Sequence, residues 1–207
     1  MAAPIVVSVS LAAADDDGIA QNQTLGAAGN MTLNGLLVTD GVATLTTAGI
    51  ERQVLLTSVS DESAKTFTVY GTNATGNEIS ESITGPNTTA TTNKFFRTVT
   101  RVAVSAATTG NVKVGTNGVG ATRFVSIDQN KAVSGISYEF VVSGTVNYDL
   151  QHTLNDPNRY TVTWFDDVNL AGETANQIGA ISFPVVGSRC LLNSGSGTVT
   201  MTVVQMG

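Results

Sequence analysis

His152 and Cys190 are the only histidine and cysteine of the chain, and they are its main candidates for base or nucleophile chemistry near neutral pH. A hydrolytic triad would need His152 as its base, yet no Gly-x-Ser-x-Gly elbow occurs to present a serine. His152 follows Gln151 in a strand that leads into a turn, so a structural or solvent-facing role is expected. Cys190 stands between Arg189 and Leu191 in an expected strand, where a buried, inert thiol is favoured over an activated thiolate.

The acidic residues suggest two further chemistries. Asp15-Asp16-Asp17-Gly18 has the composition of a calcium loop, but it lacks alternating acids and a distant Glu, so a solvated turn is expected. Asp166-Asp167, with Glu173, could supply the paired carboxylates of glycoside hydrolysis, although sequence sets no separation between them. Gly115-Thr116-Asn117-Gly118-Val119-Gly120 would cradle a phosphate only if it opened a helix. The next periodic segment reads as a strand and no Gly-Lys-Ser/Thr follows, so a linker is expected. Asn22, Asn30, Asn73 and Asn87 begin glycosylation-type triplets, which an Asn/Thr-rich chain produces by chance.

The aromatic residues point to binding rather than catalysis. Trp164 and Phe165, just before Asp166-Asp167, could stack on a sugar, while the alternation of Tyr160, Val162 and Trp164 favours the core for Trp164. Phe95 and Phe96 are adjacent, and adjacent strand residues point to opposite faces. One ring is expected to serve the domain core and the other an inter-subunit or inter-domain contact. A strand buried on both sides is the alternative. No catalytic, cofactor-binding or metal-binding residue is assigned.

These residues must be held by strands. Apolar residues alternate with Thr or Ser along Thr198-Val199-Thr200-Met201-Thr202-Val203, and similar alternation recurs throughout between turns rich in Gly, Asn and Asp. Strands are expected over residues 5–11, 31–38 (with a bulge at Gly35), 54–59, 66–72, 78–84, 95–105, 111–114, 124–127, 136–142, 146–150, 181–186 and 199–204. Residues 73–77 read as a hairpin loop, Asn155-Asp156-Pro157-Asn158 as a turn, and Gly172–Gly179 as the one place for a short helix. The fold class is therefore all-β, expected as two β-sandwich domains in tandem, of jelly-roll or immunoglobulin-like type. Residues 1–117 form the first and 118–207 the second.

Composition narrows the possible partners. The 207 residues carry a net charge of −6 and no Lys/Arg-rich stretch, so neither nucleic acid nor an anionic membrane is an expected partner. No apolar run reaches the ~20 residues that span a bilayer. Met1–Leu11 lacks the basic start and continuous apolar core of a secretory signal. A single cysteine forms no internal disulfide, which fits folding in a reducing cytoplasm. Aromatic residues are only 6% of the chain, so aliphatic side chains must build the core, and a core this thin gains from subunit contacts.

Several segments carry a resemblance. Ser80-Glu81-Ser82-Ile83-Thr84-Gly85-Pro86-Asn87, then Lys94-Phe95-Phe96-Arg97-Thr98-Val99 and Val102-Ala103-Val104-Ser105, resemble virion structural proteins of tailed bacteriophages. Val146-Asn147-Tyr148-Asp149-Leu150-Gln151-His152-Thr153 and Ser194-Gly195-Ser196-Gly197-Thr198-Val199 resemble the same group. Within it, a small acidic two-domain β protein is similar to capsid decoration, or cement, proteins. The resemblance implies a virion protein assembled in the host cytoplasm, with no enzymatic activity and no cofactor. Its partner would be the major capsid protein, and it would form a homo-oligomer, a trimer favoured, that bridges capsomers against internal pressure. A tail, neck or fibre component that recognises host glycans is the alternative.

Overall fold

The computed structural model describes residues 3–128, 135–157 and 162–205. Among these residues the protein is all-β, without a helix. In chain order the strands are β1 Ile5–Ser10, β2 Asp15–Gln23, β3 Gly29–Asn30, β4 Val38–Thr39, β5 Val42–Thr44, β6 Ile50–Asp61, β7 Thr66–Thr72, β8 Glu78–Thr84 and β9 Asn87–Phe96. They continue with β10 Thr98–Val104, β11 Val112–Thr122, β12 Val125–Ser126, β13 Ile136–Ser143, β14 Val146–Thr153, β15 Phe165–Asp166, β16 Gln177–Ile181, β17 Gly187–Gly195 and β18 Thr198–Gln205. They gather into two compact units: Ala13–Gly118, and the chain up to Ala12 together with Val119 onward.

In the unit Ala13–Gly118, one sheet runs β4-β5-β10-β7-β8, with β3 also on β10. The hairpin β7–β8 pairs from Thr66↔Thr84 to Thr72↔Glu78. Its tip is the expected loop: Asn73 Oδ1 accepts the amides of Thr75 at 3.1 Å and Asn77 at 2.9 Å, and Gly76 adopts φ +88°. In the same unit, β6 pairs with β9 and β2 pairs with β11. Ile19, Val54, Leu56, Phe67, Phe96, Val102 and Val112 meet in the core. Glu62 is fully buried and ties a loop down: it receives Lys65 Nζ at 2.7 Å and the amides of Thr109 at 3.0 Å and Gly110 at 2.8 Å. Burial pushes its carboxyl up, but Lys65 and the two amides outweigh that and hold it below the usual glutamate value.

The other unit opposes two sheets. One is β1-β18-β13-β16, and the second contains β15-β14-β17 with β12 on β17. Strand alternation turns Val7, Val9, Ile136, Tyr138, Phe140, Val199, Met201 and Val203 inward, all of them buried. Phe140 of the first sheet stacks on Tyr148 of the second, with ring centroids 5.0 Å apart. The Tyr148 hydroxyl donates to the Ala175 carbonyl at 2.9 Å. This is sandwich-like packing, two sheets sharing one core of mostly aliphatic side chains.

Several local expectations fail for identifiable reasons. Asp15–Gly18 is not a turn but the start of β2, where Asp15 pairs with Thr116 and Lys113 bonds Asp16. Residues 31–37 form no strand; Gly35 instead lies so close to the Gly18 backbone that an added Cβ would stand 2.2 Å from it. The Gly-rich stretch 115–120 is strand rather than irregular linker, the middle of β11, although the boundary between the two units does fall within it, after Gly118. Gly115 is needed there because a Cβ would meet the Asp15 carbonyl at 2.0 Å. The expected strand 95–105 is broken at Arg97 into β9 and β10, and β9 was hidden by its run of Thr. No helix covers Gly172–Gly179: Asn176 Oδ1 accepts the Val142 amide at 2.8 Å and β16 joins β13. The strand expected at 181–186 does not form, since β16 ends at Ile181, while the strand expected around Cys190 is β17, Gly187–Gly195. β1, expected with the N-terminal half, pairs along its whole length with β18. Tyr160 and Asn158 lie outside the described residues.

Candidate interaction face

The outward surface of the sheet β1-β18-β13-β16 is built by strand parity. Opposite the buried valines stand Val6, Ser8 and Ser10; Thr198, Thr200, Thr202 and Val204; Ser137, Glu139, Val141 and Ser143; and Ile178 with Ala180. The registers set them in rows, as in Val6–Thr202–Glu139–Ile178. Ser8 and Thr200 hydroxyls bond at 2.9 Å. Val6 is 55% exposed and Ile178 79%. Among the described residues only Glu139 carries a charge here, whereas ordinary solvent-facing surface holds roughly a quarter or more charged residues. A surface short of charge and dotted with aliphatic side chains has the composition of an interface core. The alternation of Thr with Val was visible in sequence, but the neighbours that join it into a face were not.

A second cluster forms where β15 pairs with β14. His152 lies opposite Phe165, and Gln151 opposite both Asp166 and Arg189. The His152 ring stacks on Phe165 at 6.3 Å and meets Phe183 edge-on at 5.2 Å. Phe165 is 53% exposed and Phe183 45%, while His152 is buried with no hydrogen-bond partner on Nδ1. Burial lowers the His152 pKa below its ordinary value of 6.5, against the opposing pull of Asp167 and Asp166. On the other face of these strands, Arg189 Nε donates to Gln151 Oε1 and Gln151 Nε2 donates to Asp166 Oδ1, both at 2.8 Å. The Arg189 guanidinium covers the half-buried Trp164 ring at 4.2 Å from its centroid, and Phe124 packs edge-on to Trp164. Phe183, Gln151 and Arg189 were not singled out in sequence, because only strand register brings them to this place.

The remaining candidates are engaged structurally. Cys190 is fully buried, and burial first, then the Asp149 charge, pushes its thiol far up. Asp167 Oδ1 accepts the Asn169 amide at 2.9 Å, and Glu173 Oε2 accepts Gln177 Nε2 at 2.7 Å. The carboxylates of Asp15, Asp16 and Asp17 lie within 4.8 Å of one another, with Asp16 bonded to Lys113. Phe96 is fully buried in its unit's core and Phe95 is buried as well, so neither ring is displayed on the chain's own surface. No protein-family model and no curated protein matches the chain.

Proposed function

We propose that this chain is a structural protein of the capsid-decoration kind, which attaches to the major capsid protein and reinforces a shell by adhesion. The observation that carries this reading is the outward face of β1-β18-β13-β16, where Glu139 is the one charge among hydroxyl and aliphatic side chains. Such a face loses little solvation when covered and gains from burying Val6, Val141, Ile178 and Val204. Repetition over a symmetric shell multiplies a modest contact into a large resistance to expansion. Electron microscopy of particles that carry the protein tests the idea. Copies regularly spaced over the whole shell are expected, and Val141→Lys should empty those sites. A protein that stays free in solution and never joins a particle would end it.

A second reading, a tail, neck or fibre component that binds host glycans, is favoured by the exposed Phe165 and Phe183 rings beside His152. Aromatic faces stack on the apolar faces of sugars. Location at one vertex, with glycan binding lost in Phe165→Ala, would select this reading over the first.

A further inference from the structure

We propose that β1 is a self-pairing edge: two copies of the chain join by antiparallel β1–β1 pairing about a two-fold axis. Open sheet edges invite foreign strands, and proteins blunt them with charge, bulges or brevity. Other edges among the described residues are blunted in these ways. β8 carries Glu78 and Glu81, and Glu81 accepts the Asn93 and Lys94 amides while Lys94 Nζ reaches the Ser80 carbonyl. β9 breaks register twice against β6 and holds Thr88 at φ +95°. β4 and β15 have two residues each. β16, at the other end of the sheet from β1, is uncharged as well and at five residues is the shorter of the two edges.

β1 has none of these defences. Its six residues, Ile-Val-Val-Ser-Val-Ser, pair with β18 from Ile5↔Val203 to Ser10↔Thr198 without a shift, and they include no charge and no proline. It ends its sheet, so about half of its backbone N–H and C=O groups point away from β18.

A second copy fits this edge on three counts. The strand is uncharged, so it sets no like charges against each other when two chains of net charge −6 meet along it. Pairing about a two-fold axis keeps side-chain parity. With Val7 opposite Val7 of the second copy, Val6 meets Ser8 and Ile5 meets Val9. Ile5 shares the inward parity of the buried Val7 and Val9 but is 38% exposed, and the second copy's Val9 would cover it. The edge is about 20 Å long, less than a standard interface, so the dimer is weak and concentration-dependent. This inference does not rest on the shell reading, because its test uses the isolated chain.

The test is sedimentation or light scattering of the full chain over a wide concentration range, with hydrogen exchange of the β1 amides. The mass should approach twice that of one chain, with alternate β1 amides gaining protection as concentration rises. Val6→Lys/Ser8→Lys, both at exposed positions, should weaken association roughly tenfold or more by placing like charges across the pair. Leu36→Lys/Val59→Lys adds the same charge at other exposed sites and should leave it unchanged. Monomeric mass up to roughly 1 mM overturns the proposal, as does equal weakening in both variants or association without β1 protection. Should Val6→Lys/Ser8→Lys fail to fold, protection of the β1 amides in the unmodified protein decides alone.

Discussion

Cys190 illustrates how burial settles reactivity. Its sulfur is enclosed in β17, 4.0 Å from the Leu191 carbonyl, with an Asp149 charge nearby that further disfavours the thiolate. A thiol reagent added to the folded protein should therefore find almost nothing to modify. The same reagent in denaturant should count one thiol per chain; rapid labelling of the native protein would contradict the buried placement. His152 teaches the same lesson from the base side. Sequence suggested a structural or solvent-facing role for it, and the ring proves to be buried between two phenylalanines with its charged form disfavoured. What sequence did not reveal was that those two rings are themselves half open to solvent. Exposure depends on what lies above a strand, and no local pattern encodes that.

Among the elements, the strands with regular alternation were the most legible. β7, β8, β13 and β18 follow the alternation of their residues, because side-chain parity is a local property of extended backbone, whereas β14 is buried on both faces. β11 was misread because its glycines look like a hinge when taken alone. Their role emerges only with β2 alongside, and the two positions separate cleanly under substitution. Gly115→Ala drives a methyl into the Asp15 carbonyl and should cost about 1–3 kcal/mol in urea unfolding. Gly118→Ala meets nothing within 4 Å and should be neutral, or stabilise by up to about 1 kcal/mol. Equal tolerance at both sites would restore the linker. β9 was missed for the opposite reason: its Thr-rich face has no apolar contrast to show periodicity, and pairing with β6 recruits it.

For the whole molecule, stability should fall at both ends of the pH scale, through different groups. Glu62 has a folded pKa below the unfolded value of 4.5, so its contribution is complete above that value and disappears as pH falls through the folded pKa. His152, also lowered, loses its contribution as pH falls from its unfolded 6.5 through its folded value. Tyr138 behaves oppositely: burial, which disfavours the charged phenolate, raises it from 10.0 to about 12. Its contribution is whole below pH 10.0 and fades as pH rises to about 12. Urea midpoints measured across pH should thus plateau near neutrality. Glu62→Gln should make the acid limb less steep below pH 4.5, and Tyr138→Phe should do the same to the alkaline limb, which buried Tyr148 and Cys190 share; unchanged slopes would refute these assignments.

The sequence by itself determined that the chain is all-β and that its cores are aliphatic, since strand parity and residue volume are written residue by residue. Only the tertiary structure decided that β1 closes onto β18, that a nearly uncharged face lies outward, and that Gln151 meets both Asp166 and Arg189. Pairing between strands far apart in the chain depends on which edges meet and in what register. A two-residue period is the same for every partner, so it cannot specify that choice.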